Sequence, residues 1–129
     1  MLRTVAADMI YHLAKKSAWN EAQETGVYRG AEADRADGFL HLSTDKQIRE
    51  SARKHRTGES DLVLLFVDET QLPETLVWEA SRGGQLFPHL YESLPIAAVT
   101  GTADLPLDRS GDHVFPENLP ASFPPSTDG

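Results

Sequence analysis

The first pattern in the chain is a short apolar run from Met9 to Leu13, which predicts a strand. Because side chains alternate between the two faces of a strand, Tyr11 and Leu13 share one face. His12 is then left on the other face with Ile10. One polar side chain therefore interrupts an apolar strand, which makes His12 a candidate functional residue.

A short helix is expected next, over residues 18–25, because Gly26 is a typical helix stop. Trp19 and Ala22 lie on one side of this helix. Residues 29–36 are polar and rich in small side chains, which indicates an exposed loop. This loop leads into the stretch around which the chain is organised.

That stretch, DGFLHLST at positions 37–44, predicts a strand followed at once by a helix. The alternation of a strand places His41 and Ser43 on the same face. Thr44 is followed three positions later by Gln47, a pattern typical of a capping box at a helix N-terminus. A histidine and a hydroxyl group therefore lie just before the start of a helix.

The start of this helix, predicted over residues 45–56, offers a floor for a binding site. Its first turn has free backbone N–H groups and a partial positive charge. His41, Ser43 and Thr44 are therefore candidate ligand-binding residues. The alternative is a core histidine with satisfied hydrogen bonds and an ordinary hydroxyl. A serine nucleophile is not indicated, since side chains two apart on a strand stand roughly 7 Å from each other.

The rest of the pattern predicts strands without helices. One apolar run predicts a buried central strand and three further stretches are extended, over residues 62–67, 76–80, 86–91 and 96–105. This order of elements predicts an α+β fold with two main helices and a mostly antiparallel, bent sheet. Residues 1–117 are expected to form a single globular domain, and the Pro-rich residues 118–129 a flexible tail.

A carboxylate interrupts the strand predicted over residues 76–80, at Glu79. Burying a carboxylate costs free energy unless it is paired. Glu79 therefore either faces water on a half-exposed strand or is kept for function. In the second case its apolar neighbours would raise its pKa, as is usual for a catalytic acid or base.

His89 lies in a segment that is shaped by a proline and two aromatic residues. Pro88 rigidifies the chain, and Phe87 and Tyr91 lie two residues before and after His89. This arrangement indicates the rim of a site. The alternative is an edge strand that the proline marks. His89 and Tyr91 are candidate ligand-binding residues.

A metal site is the remaining possibility for these side chains. His12, His41 and His89 are ligand types that suit zinc, with Glu79 as a fourth partner. No two of them have the short spacing of a metal-binding pair on a helix. We therefore predict a site without a metal.

The net charge of −8 narrows the partners that the chain can take. Such a protein repels a phosphate backbone overall, so broad nucleic-acid binding is disfavoured. The longest apolar run, residues 62–67, is too short to cross a bilayer, and no membrane association is expected. Without cysteine there is neither a disulfide nor a thiol nucleophile, and a cytoplasmic location is expected.

Several segments together resemble the bacterial family known as domain of unknown function 952. The resemblance covers about residues 9–117. The matching segments are Ile10-Tyr11-His12-Leu13, Gly38-Phe39-Leu40-His41-Leu42-Ser43 with Gln47, and Phe87-Pro88-His89-Leu90-Tyr91. The fold of this family is similar to that of ADP-ribosyltransferases, so the resemblance implies an ADP-ribosyltransferase-like fold for this chain.

The resemblance also implies an activity, namely an NAD-dependent transferase or glycohydrolase that acts at the nicotinamide ribose. His12 resembles the position that holds the ribose of the nucleotide, and His41 with Ser43 resembles the second polar position. Glu79 would stabilise the oxocarbenium-like transition state. Tyr91 would cover the nicotinamide by stacking.

The predicted site therefore has two catalytic residues and NAD as its small-molecule substrate. The catalytic residues are Glu79 and His41, and the nucleotide-binding residues are His12, Ser43, Thr44, His89 and Tyr91. The alternative is a non-catalytic module that binds a nucleotide or small metabolite in the same cleft. A third, structural interpretation leaves the histidines as polar groups of the core.

Overall fold

Helices and strands alternate early in the chain, and strands dominate its second half. The structure is a computed structural model, and it describes residues 9–119. The helices in this part are α1 (Lys16–Thr25), α2 (Glu32–Asp37) and α3 (Ile48–His55). The strands are β1 (Met9–Lys15), β2 (Val27–Tyr28), β3 (Leu40–His41), β4 (Leu62–Asp68), β5 (Leu76–Ala80), β6 (Leu86–Leu90), β7 (Leu94–Pro95) and β8 (Val99–Asp104).

The described strands pair antiparallel in small sheets. One sheet has the order β1-β4-β8, a second has the order β3-β6-β5, and β2 pairs with β7. This confirms the α+β class and the antiparallel pairing, although the strands are divided among separate sheets instead of forming one bent sheet. The central, buried position that was predicted for residues 62–67 is confirmed by β4.

β1 separates two apolar clusters. Ile10 and Ala14 belong to the cluster that includes Trp19 of α1, while Tyr11 and Leu13 belong to the cluster on the α3 side. The alternation predicted for this strand is therefore confirmed. Since each fully buried large apolar side chain stabilises the fold by roughly 1.5–3 kcal/mol, β1 ties the two halves of the core together.

α1 confirms the first predicted helix. Its buried residues are Trp19 and Ala22. Gly26 follows it with a φ of 91°, in the left-handed region that favours glycine, and its N–H bonds to the carbonyl of Ala22. The helix therefore ends where the sequence predicts, although it begins two residues earlier than residue 18.

The interval predicted as an exposed loop contains a helix, α2, so the prediction of a loop over residues 29–36 is wrong. The one buried residue of α2 is Asp34. Because the helix packs inward through a carboxylate, its sequence shows none of the apolar periodicity from which a helix is predicted.

The central stretch is less regular than predicted. β3 covers two residues, and Ser43 then forms an isolated antiparallel bridge with Tyr11 of β1. The two hydrogen bonds of this bridge measure 2.7 and 2.9 Å. α3 begins at Ile48, after a turn, so the helix predicted from residue 45 starts three residues late.

The C-terminal part of the described chain packs against the α3-side cluster through Phe115 and Leu119. The predicted boundary at residue 117 stays a prediction, because residues 120–129 lie outside the described part. None of the helices within residues 9–119 is long and apolar enough to cross a membrane.

Candidate functional site

A cavity of about 370 Å³ lies among β1, α2, α3 and β6. Its volume falls within the range of about 300–1,000 Å³ that is typical of small-molecule pockets. Its lining brings together four histidines and two carboxylates, namely His12, His41, His55, His89, Asp34 and Asp37. Histidines and carboxylates in one cavity are the groups that acid–base chemistry uses.

The hairpin of β5 and β6 positions the first histidine–carboxylate pair. In its register His89 stands opposite Val77, so Glu79 is a diagonal neighbour on the same face. His89 Nδ1 donates to Glu79 Oε1 at 2.7 Å, and the hydroxyl of Tyr91 donates to the same oxygen at 2.6 Å. We call Glu79, His89 and Tyr91 the His89 centre.

The His89 centre leaves one ring nitrogen to the cavity. Nδ1 of His89 carries a proton, because an ionised carboxylate only accepts hydrogen bonds. In the neutral ring Nε2 therefore has its lone pair available, and it forms no hydrogen bond with the side chains and backbone that the structure describes. The hydrogen bonds from Tyr91 and then from His89 lower the pKa of Glu79, whereas its apolar neighbours had predicted a raised value.

α2 and β3 position the second set of paired groups. His41 Nδ1 donates to Asp34 Oδ1 at 2.6 Å, and His41 Nε2 lies 2.9 Å from Asp37 Oδ2. Both ring nitrogens therefore donate to carboxylates, which requires the doubly protonated imidazolium. The hydrogen bond to Asp34 raises the pKa of His41 accordingly. We call Asp34, His41 and Asp37 the His41 centre.

Asp34 is the buried anchor of the His41 centre. Besides the ring of His41, it accepts from the backbone N–H of Ala31 at 2.6 Å and from that of His41 at 2.9 Å. Burial alone would raise the pKa of Asp34, but the hydrogen bond from the ring of His41, with those from the backbone N–H groups of His41 and Ala31, outweighs burial and lowers the pKa to about 2. Gly30 leaves room for this carboxylate, since a Cβ there would lie 2.8 Å from that of Asp34.

His12 lies behind the His41 centre with both ring nitrogens engaged. Its Nδ1 donates to the carbonyl of His41 at 2.7 Å, and its Nε2 accepts from the hydroxyl of Tyr28 at 2.8 Å. The ring is 2% exposed, and burial lowers its pKa, which favours the neutral form. His12 therefore lines the cavity with both ring nitrogens paired inside the protein, and the ribose-holding role implied by the resemblance stays a prediction.

The two hydroxyl residues of the central stretch differ in position. Ser43 lines the cavity, and its Oγ lies 3.2 Å from Oγ of Ser51. Thr44 lies outside the lining, and its backbone N–H donates to the side chain of Gln47 at 3.0 Å, as in one half of a capping box. Ser43 is therefore paired with another serine, and Thr44 with the start of α3.

Phe39 joins the two centres. Its ring stacks on that of His89, with centroids 4.2 Å apart, and contacts the rings of His41 at 4.6 Å and Tyr91 at 5.1 Å. The register places His41 directly opposite His89, and their rings meet edge to face at 5.7 Å. The His41 centre and the His89 centre are therefore neighbours on one wall.

The structure thus brings some of the predicted site residues together and leaves others apart. His12, His41, Ser43 and His89 line the cavity, while Glu79, Tyr91 and Thr44 do not. Glu79 reaches the cavity through His89, and Tyr91 reaches it through Glu79.

Sequence reasoning missed both carboxylates of the His41 centre. Asp34 and Asp37 stand three apart, which is a spacing that places two side chains on one face of a helix. That spacing, which ends at the first residue of the central stretch, was the available signal. Within residues 9–119, no three His, Cys, Asp or Glu side chains converge on a position that could hold a metal ion.

The fold and the cavity define a small α+β protein with paired histidines and carboxylates on one wall. The chain belongs to the family described as protein of unknown function (DUF952), whose family model matches residues 13–102. This confirms the family that the three segments of the sequence indicate. No curated protein matches the chain.

Solved structures of one bacterial protein are similar to this chain. The crystal structure of protein CC0527 from Caulobacter crescentus is 45% identical, with a TM-score of 0.79 over 82% of this chain and 93% of that one. The solution NMR structure of CC0527 is 46% identical, with a TM-score of 0.71 over 81% and 90% of the two chains. These structures are not of ADP-ribosyltransferases, so similarity to that fold stays a prediction.

Proposed function

We propose that the cavity binds a nucleotide and that the His89 centre acts on it as an acid–base catalyst. The observation that carries this proposal is the geometry of His89, whose Nδ1 is held by Glu79 while Nε2 has no hydrogen-bond partner among the described groups. A histidine that a carboxylate orients in this way is a usual general base.

NAD is the substrate that we assign, with water or an acceptor hydroxyl as the nucleophile. The bond between the nicotinamide nitrogen and C1′ of the ribose breaks, and nicotinamide leaves with the bonding electron pair. The oxygen of the nucleophile then bonds to C1′, and its proton passes to Nε2 of His89. Glu79 stabilises the imidazolium that forms, as a carboxylate does behind a catalytic histidine.

This assignment changes the role of Glu79. The resemblance implies direct contact between its carboxylate and the transition state. Since Glu79 lies outside the cavity lining, we assign its effect to His89.

Two further features support a nucleotide. Arg56 lines the same cavity beside His55, at the end of α3, and guanidinium groups bind phosphate well. The guanidinium also donates to Glu59 at 2.9 Å, which fixes its orientation. The resemblance to ADP-ribosyltransferases points to the same ligand class.

A non-catalytic binding module is the second candidate. It is favoured by the pairing of two other histidines in the cavity, because both ring nitrogens of His12 and both of His41 already have partners within the protein. A cavity with one free basic nitrogen serves binding as well as catalysis.

Nicotinamide release from NAD, measured by chromatography beside calorimetric titration with NAD, tests the proposal. We expect His89→Gln to lower the rate by roughly 10²–10⁴-fold, the usual contribution of a general base, with NAD affinity nearly unchanged. His113→Gln is the control, since His113 lies outside this cavity and bonds to the carbonyl of Glu59. NAD binding without release would favour the binding module, and neither binding nor release would overturn the proposal.

A further inference from the structure

The two carboxylates of the His41 centre are not equivalent. The side chain of Asp34 is 5% exposed, while that of Asp37 is 55% exposed. Asp34 also accepts from two backbone N–H groups, so three hydrogen bonds, one from Ala31 and two from His41, fix it in the cavity lining. Among the side chains that the structure describes, the ring of His41 is the one ion-pair partner of Asp37.

Exposure decides how easily each carboxylate can leave the ring. An exposed ion pair contributes little to stability, whereas removing one partner from a buried pair costs several times more. Asp37 is the last residue of α2, directly before Gly38, whose φ is 86°. The contact between Asp37 and His41 is therefore the weak one of the two.

We infer that Asp37 is an internal stand-in for a ligand anion, and that a phosphate oxygen of the nucleotide replaces it at Nε2 of His41. The inference rests on the proposed function, because it names the ligand group that meets the His41 centre. Nε2 of His41 is a charged donor that stands at the cavity, since the ring is 42% exposed and lines it. Charge-assisted hydrogen bonds to phosphate are stronger than neutral ones.

Moving Asp37 away from His41 makes this side of the cavity less negative, as the binding of an anion requires. While Asp37 is in contact, the two carboxylates and one imidazolium of the His41 centre carry a net negative charge, which repels an anion. When Asp37 turns outward, Asp34 and His41 form a neutral pair. Arg56 then adds positive charge to the same cavity, although it shares that charge with Glu59.

The same inference assigns different roles to the neighbouring histidines. His41 binds a phosphate oxygen and is not the base, because a ring that Asp34 holds protonated has no lone pair to offer. His89 keeps the role of base. A nucleotide would then be held at one histidine and cleaved at the other, whose rings lie 5.7 Å apart.

Inorganic phosphate and ADP-ribose are the probes for the test, with affinity measured by calorimetry and the ring nitrogens of His41 followed by NMR. We expect Asp37→Ala to bind inorganic phosphate roughly two- to fivefold more tightly, the range that an exposed ion pair is worth when converted to affinity. Glu32→Gln is the matched control, because it removes an exposed charge from the same helix without touching His41. Phosphate should shift Nε2 of His41, and changing His41 to Ala as well should abolish the gain.

The outcomes separate this inference from the proposed function. If NAD binds the wild-type protein but Asp37→Ala changes neither phosphate affinity nor the His41 shift, the stand-in role is wrong and the nucleotide site stands. If Asp37→Ala binds phosphate more tightly while NAD and ADP-ribose bind neither protein, the nucleotide proposal is wrong and the stand-in role stands. If phosphate binds neither protein, the inference is wrong. It is also wrong if Glu32→Gln raises the affinity for phosphate as much as Asp37→Ala does.

Discussion

The His41 centre and the His89 centre are built from the same parts and differ in what they leave free. Each holds an imidazole against a carboxylate at 2.6–2.7 Å, and the two rings stand opposite each other on paired strands. In the first, both ring nitrogens meet carboxylates. In the second, the further partner is a tyrosine hydroxyl that binds the carboxylate and leaves the ring alone.

The number of carboxylates around a histidine therefore sets its chemistry. Two carboxylates fix a cation that only donates, whereas one carboxylate orients a ring whose other nitrogen accepts a proton. Burial differs in parallel, since Asp34 is buried and Glu79 lies half-exposed on an outer strand. The His41 centre is therefore expected to matter for stability and the His89 centre for chemistry.

The largest expected effect breaks the His41 centre at its anchor. Asp34→Ala leaves two backbone N–H groups and the half-exposed charged ring of His41 without their acceptor, so it should lower the free energy of unfolding by about 3 kcal/mol. Asp37→Ala, at the exposed end of the same centre, should cost less than about 1 kcal/mol. Urea denaturation of both variants measures the contrast, and equal losses would contradict the division between anchor and stand-in.

Acid should remove the same stabilisation without a mutation. The pKa of Asp34 is lowered from 3.8 to about 2 in the folded protein, so its contribution is present above pH 4 and is lost as the pH falls through about 2. The contribution amounts to about 2 kcal/mol. Urea denaturation at about pH 5 and about pH 2 measures it. Asp34→Asn lacks this titration, and a variant that loses as much stability as the wild-type protein would show that other groups are responsible.

The ring of His41 should contribute less than its anchor. In His41→Ala the carboxylate of Asp34 keeps its two backbone partners, so we expect a loss of about 1 kcal/mol. Thermal unfolding, compared with the same change at the unrelated His113, measures it. A loss as large as that of Asp34→Ala would favour the alternative of a core histidine.

The smallest effect concerns the outer end of the His89 centre. Tyr91→Phe keeps the ring contact with Phe39 and removes the first of the two hydrogen bonds that lower the pKa of Glu79. We expect thermal unfolding to be unchanged and the pKa of Glu79 to rise, as followed by carbon-13 NMR of its carboxyl group. An unchanged titration of Glu79 would show that His89 alone holds it ionised.

The parts of the fold that follow apolar periodicity were predictable from sequence. The two faces of β1, the helix α1 with Trp19 and Ala22 inward, and the buried strand β4 follow from alternation and spacing. α2 was not predictable in this way, because a carboxylate fills its one buried position. A charged residue can be predicted to face inward only when its partner is known. Here the partner of Asp34 is the ring of His41, seven residues later.

The sequence indicated several residues of the site, but it did not show which of them pair with each other. His41, His89 and Glu79 stand out as polar side chains on strands, yet the sequence assigned Glu79 to the cavity and not to His89. A hairpin that turns around Gly83 and Gly84 does place these two side chains as diagonal neighbours. That register follows from the turn, and it was the available signal for the His89 centre.

His89 is expected to present a basic Nε2 to the cavity, whereas His41 presents no basic ring nitrogen. Nitrogen-15 NMR of the histidine rings, recorded across a pH titration, tests it most directly. We expect neutral His89 to carry its proton on Nδ1 with Nε2 bare, and we expect the pKa of His41 to lie above its ordinary value, because its ring donates to Asp34. A neutral His89 with its proton on Nε2, or a His41 whose pKa is not raised, would contradict this expectation.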